Sequence, residues 1–168
     1  MSKFTALVVT IGVLALVCTW LFGLPLLARL FVWQAFVAWG CHFQSGGKVV
    51  GCRSSAVCMS FGAVVGMAAA LLIAPLAPLG SLAAPVAVGL GAALIVIASK
   101  VPWLETVPAG FYGFAVIFAV IGLAKADPVA AILPTVISIL IGAAFGYVSE
   151  WIAGALTRKD AVAAAAAA

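Results

Sequence analysis

Phe36-Val37-Ala38-Trp39-Gly40-Cys41-His42-Phe43 is echoed 75 residues later by Phe111-Tyr112-Gly113-Phe114-Ala115-Val116-Ile117-Phe118. Both copies read Phe, any residue, small, aromatic, small, any, any, Phe. Further along each copy, Gly62-Ala63-Val64-Val65-Gly66 answers Gly142-Ala143-Ala144-Phe145-Gly146, at an offset of 80. All four stretches lie in long apolar runs. A duplicated set of apolar segments is a mark of channels and transporters whose site lies between the halves. The repeat points to a kind of protein without naming a substrate.

Composition supports the same class. Of 168 residues, 67% are hydrophobic and 7% charged, and the mean hydropathy is +1.38. A soluble domain of this size has too little interior to hide so much apolar surface. The net charge of +4 is spread over segment ends, which fits membrane orientation rather than a nucleic-acid footprint. Cys18, Cys41, Cys52 and Cys58 form no CxxC pair, and Cys41-His42 with Cys52 and Cys58 matches no structural zinc spacing. Neither a metal nor any other cofactor is expected, and the cysteines read as apolar packing residues. Lys3 and the apolar run from Phe4 to Phe22 lack a small-residue cleavage site, so they read as a first membrane helix.

Breakers divide the chain into six expected spans of about 20 residues, at 4–22, 25–43, 54–76, 80–98, 107–124 and 129–153. Gly23-Leu24-Pro25 makes a turn with Pro25 opening the second helix. Gln44 to Arg53 reads as a polar, flexible loop. Asp127-Pro128 is a start signal, with Asp127 as the N-cap of the last helix. With six spans, Lys3, Lys48, Arg53, Lys100, Arg158 and Lys159 share one side, and only Arg29 and Lys125 lie on the other. The positive-inside rule then places both termini in the cytoplasm. Three spans per copy make the second copy enter from the opposite face, an inverted-topology repeat. The expected halves are residues 1–78 and 79–157, followed by an Ala-rich cytoplasmic tail at 158–168 that either extends the helix or frays.

Phe36, Trp39 and Phe43 stand at i, i+3 and i+7 and share one helical face, as do Phe111, Phe114 and Phe118. Facing each other, these stripes would line a narrow pore for a small, neutral solute, because hydrated ions need polar ligands in place of water. The same stripes suit lipid or a neighbouring subunit equally well. Gly62 and Gly66, like Gly142 and Gly146, are four apart and read as helix-crossing points. His42, the lone histidine, is either a pore residue or an interfacial one. Arg29, a few residues inside the second span, either snorkels or guards an outer vestibule. Glu105, Glu150 and Trp151 read as interface anchors. No carboxylate is expected at mid-span, which argues against a proton- or sodium-coupled carrier. Enzyme chemistry has no nucleophile, base and acid set to stand on, and Gly46-Gly47-Lys48 lacks the spacing of a phosphate-binding loop.

The stretch from Trp33 to Gly66, with Trp33-x-x-Phe36-x-Ala38-Trp39 and Ser45-Gly46-Gly47-Lys48, resembles the YcdZ-like family of small bacterial inner-membrane proteins. So does Val107-Pro108-Ala109-Gly110-Phe111-Tyr112-Gly113-Phe114-Ala115. The resemblance covers about two-thirds of the chain. It implies a bacterial cytoplasmic membrane and brings no substrate or catalytic residue. Cys41-His42 departs from the small or aromatic residues expected there.

The expectation is an all-α polytopic membrane protein of six helices in two inverted three-helix repeats. Its role is a channel or facilitator in the bilayer, as a homo-oligomer. The alternatives are a substrate-capturing subunit of a larger importer, or a non-conducting structural or regulatory subunit.

Overall fold

The apolar runs do become helices, and the breakers set their ends. The computed structural model describes residues 1–166, with side chains as far as Thr157. Six helices carry the fold: α1 (Lys3–Phe22), α2 (Val32–Gln44), α3 (Lys48–Leu72), α4 (Ala83–Ala98), α5 (Val107–Leu123) and α6 (Pro128–Ala166). There is no strand among the described residues. A short 3-10 helix at Ala77–Leu82 runs into α4. Four helical stretches are long and apolar enough to cross a membrane: Lys3–Phe22, Lys48–Leu72, Ala77–Ala98 and Pro128–Thr157. Helix α5, with 17 residues, is apolar but shorter, and α2 has only 13.

Several boundaries differ from the sequence reading, each for a local reason. Helix α2 begins at Val32, not at Pro25. Pro25 starts only a three-residue 3-10 turn, and the Phe31 amide is captured by the Ser138 hydroxyl at 3.0 Å, which leaves Phe31 extended just before the helix. Arg29 therefore sits exposed in the α1–α2 connection, not inside a span. The expected polar loop at 44–53 shrinks to Ser45–Gly47, because α3 starts at Lys48. Gly46 and Gly47 adopt φ of 95° and 66°, and a Cβ on Gly47 would meet Glu150 Oε2 at 2.6 Å. That turn is tight and tied to α6. Asp127 does cap α6, its carboxylate accepting from the Ala130 amide at 2.8 Å. The helix continues to Ala166, so the tail extends it as far as the chain is described; residues 167–168 lie outside the described residues.

Packing crosses the midpoint of the chain. Helices α1 and α2 pack chiefly on α6, while α4 and α5 pack chiefly on α3. Glycines permit the closest approaches. A Cβ on Gly62 would run into the backbone carbonyl of Gly110, one on Gly113 into that of Met59, and one on Gly142 into that of Ala35. Between apolar helices in lipid, close contact of this kind replaces the hydrophobic drive available in water.

Overpacking at a backbone contact costs about 1–3 kcal/mol or more. Gly62→Ala and Gly142→Ala are accordingly expected to lower the thermal midpoint in detergent, whereas Gly40→Ala, which meets nothing within 4 Å, leaves it unchanged. Equal behaviour of the three variants in a fluorescence melt would refute the crossing-point account.

A candidate site where two helices are interrupted

Both long helices that organise the packing are irregular. In α3, Ser54–Cys58 forms one turn of π-helix, a feature that concentrates at functional sites. In α6 the irregularity is Pro134, inside the helix; its ring removes one backbone hydrogen bond. Ser54 and Pro134 are 80 residues apart, the offset that relates Gly62 to Gly142. The next residues, Ser55 and Thr135, are both fully buried.

Gln34 joins this region from α2. It is fully buried, and its Nε2 donates to the Val116 carbonyl and to Thr135 Oγ1, each at 3.2 Å. Its Oε1 has no partner, whereas the Ser55 hydroxyl faces the Cys41 thiol. Nearby, Ser138 accepts from the Phe31 amide and donates to the Pro134 carbonyl, one turn back in its own helix, at 2.8 Å. Ser54 and Thr106 share a hydrogen bond at 2.9 Å across the start of α5. Ser138 is ten residues into α6 from Pro128, about 15 Å along the helix.

The aromatic stripes are placed differently from a facing pair. Trp39 is 4% exposed and packs with Cys18, Phe22 and Ala35 between α1, α2 and α6. Phe114 is 7% exposed and packs with Val65, Ala69 and Ile95 between α3, α4 and α5. Phe43 and Phe118 flank these same two clusters. Phe36 and Phe111 are 40% and 39% exposed. The six rings thus divide between two separate apolar clusters and the surface.

The two clusters share several positions. At offsets of 75 and 80, Val32, Trp39, Phe43, Ile141 and Phe145 answer Val107, Phe114, Phe118, Phe61 and Val65. Gly142 against Ala35 answers Gly62 against Gly110. Gly146 against the His42 ring answers Gly66 against Ile117. Where one member is polar, both partners change together. Trp39 Nε1 donates to Ser149 Oγ at 3.1 Å, whereas Phe114, with nothing to donate, lies in the cluster that holds Ala69 at the position equivalent to Ser149.

His42 is fully buried at the far end of α2 from Gln34. Its Nε2 lies 3.1 Å from Glu150 Oε2, which also accepts from the Lys48 amide. With the carboxylate as acceptor, Nε2 donates, and Nδ1 is left buried without a partner. The positions equivalent to His42 and Glu150 are Ile117 and Ala70. Elsewhere, Arg53 donates to Glu105 at 2.9 Å and lies over the Trp103 ring at 5.3 Å. Glu105 thus binds a residue of α3, and Glu150 one of α2. All four cysteines are free, and no cluster of metal-ligating side chains occurs among the described residues.

Gln34, Ser55 and Thr135 were not among the sequence candidates. The signal was available: polar residues inside apolar runs, two of them at the repeat offset and each next to a break.

Apolar helices of this length define the class: a helical membrane protein. Within that class the chain belongs to DUF1097, a family described as protein of unknown function, which matches residues 8–154. No curated protein matches the chain, and no solved structure does.

Truncating Glu150 strands a backbone amide and a buried ring nitrogen, each unmet group costing about 1–3 kcal/mol. Glu150→Ala is expected to lower thermal stability clearly, and Glu105→Ala much less, since its pair with Arg53 is solvent-exposed and worth about 0–1 kcal/mol. Equal melting of the two variants would contradict the geometry at His42.

Proposed function

We propose that this protein is a facilitator for a small neutral solute, with a path between α2 and α5 past the two interrupted helices. The observation that carries the reading is Gln34 Oε1, a fully buried amide oxygen with no partner beside those interruptions. Inside a membrane an unsatisfied polar group costs several kcal/mol, so such an atom calls for a ligand that comes and goes. A solute with N–H or O–H groups supplies it, with Oε1 accepting. No Lys, Arg, Asp or Glu is buried among the described residues, which favours a neutral solute over an ion.

The paired interruptions also support an inverted repeat. Broken helices at matching positions of two halves are the usual pointer to a transporter's site. The register of contacts agrees with six segments that alternate in direction. Phe31, Ala35 and His42 meet Ser138, Gly142 and Gly146 in ascending order, so α2 and α6 run parallel. Ser54, Gly62 and Gly66 meet Thr106, Gly110 and Ile117 likewise, so α3 and α5 do too. With three segments per copy, the copies are inverted, and the Lys and Arg distribution puts both termini in the cytoplasm. A bacterial inner membrane and YcdZ-like kinship belong to the same reading, on the strength of the sequence resemblance. The equivalent exposed rings of Phe36 and Phe111 are available to lipid or to another copy in a homo-oligomer. The reading assigns the chain no catalysis.

Proteoliposome swelling tests it directly, with urea and glycerol as probes. Uptake above that of empty vesicles is expected. Gln34→Leu should reduce it roughly tenfold, the equivalent of one hydrogen bond of about 1.4 kcal/mol, while the melting midpoint stays near that of the parent. No uptake, or uptake indifferent to Gln34→Leu, would sink the proposal.

A further inference from the structure

A groove of about 850 Å³ opens at the end of the molecule where α1 and α3 begin and α2 ends. Lys3 and Leu7 of α1, Lys48 of α3, and Tyr147, Glu150 and Trp151 of α6 are among its walls. Cations outnumber carboxylates two to one among its described walls. Lys3 and Lys48 are exposed, and neither forms an ion pair among the described residues. Glu150, the one carboxylate among the described lining residues, is engaged by the Lys48 amide and the His42 ring and also attracts the Lys48 charge. Two helices also start here, α1 at Lys3 and α3 at Lys48, with no acidic residue in either first turn. Their N-terminal dipole ends add partial positive charge to that of the two ammonium groups.

The rest of the groove is apolar or amphipathic. Tyr147 and Trp151 are 41% and 68% exposed, rings of the kind that settle at the headgroup level of a bilayer. Both stand on the Pro128–Thr157 stretch, which is long and apolar enough to span, so the groove lies at the membrane boundary. A cationic rim over an apolar wall is complementary to one kind of molecule, an amphiphile with an anionic head.

We infer that this groove is a binding site for an anionic phospholipid, its phosphate held between Lys3 and Lys48 and its chains laid along the hydrocarbon wall. The site is separate from the Gln34 region and does not depend on any transported solute. Free inorganic phosphate satisfies the cations but leaves the apolar wall and the aromatic rings without a partner, so the lipid is the better fit.

Native mass spectrometry of the whole protein, released from micelles doped equally with phosphatidylglycerol and phosphatidylcholine of identical chains, provides the test. Phosphatidylglycerol should be retained in preference. Lys3→Gln or Lys48→Gln should weaken that retention about fivefold each and the double variant roughly thirtyfold, as for two juxtamembrane charges acting additively. Lys125→Gln, remote from the groove, should change nothing. As a second measurement, brominated phosphatidylglycerol should quench tryptophan fluorescence more than brominated phosphatidylcholine, and Trp151→Phe should abolish the difference. Equal retention of the two lipids, indifference to the double variant, or displacement of the lipid by millimolar phosphate would each overturn the assignment. Both lysines are exposed, so a helical circular dichroism spectrum like the parent's is expected for every variant.

Discussion

The close approaches of helix backbones, at Gly62 on Gly110, Gly113 on Met59 and Gly142 on Ala35, are the constraint from which the rest of the architecture follows. In lipid, apolar side chains gain nothing by leaving their surroundings for each other, so helices associate through tight contact and internal hydrogen bonds. Glycine at those crossings brings α3 onto α5 and α2 onto α6. Trp39 and Phe114 then fall into two separate apolar clusters. The same approach carries Gln34 far enough inward to reach Val116 and Thr135.

The two halves of the packing solve the same geometric problem with different chemistry. Trp39 with Ser149 and His42 with Glu150 occupy places where the other half has Phe114 with Ala69 and Ile117 with Ala70. Exchanging both members of a buried polar pair for apolar ones is nearly neutral, while exchanging one is costly. That rule accounts for the paired differences. It also means that the fold does not require His42 or Glu150 as such, because the equivalent crossing is built from hydrocarbon.

Much of the helical layout was legible from the chain itself. Apolar runs located α1, α4, α5 and α6, and the Asp127 cap was readable as an oxygen preceding a helix. The start of α2 was not, because it is decided by Ser138, a residue 107 positions away that takes the Phe31 amide. The aromatic spacing showed that Phe36, Trp39 and Phe43 share a face but not what that face meets. Gln34 lay in the middle of the expected span 25–43, where one neutral polar residue in an apolar run does not show by itself which helix it will meet. Its depth comes from the length of α6 beside it.

By itself, the sequence determined the class and the helical content, since hydropathy and helix breakers are local properties of the chain. It also held the matching stretches at offsets of 75 and 80, because those are written in residue order. Only the tertiary structure decided which repeated residues do what. Local spacing places a side chain on a face, but burial and hydrogen-bond satisfaction depend on the helix that arrives opposite. That arrival put the aromatic rings into separate apolar clusters. It left the unmet amide oxygen of Gln34 beside the two interrupted helices.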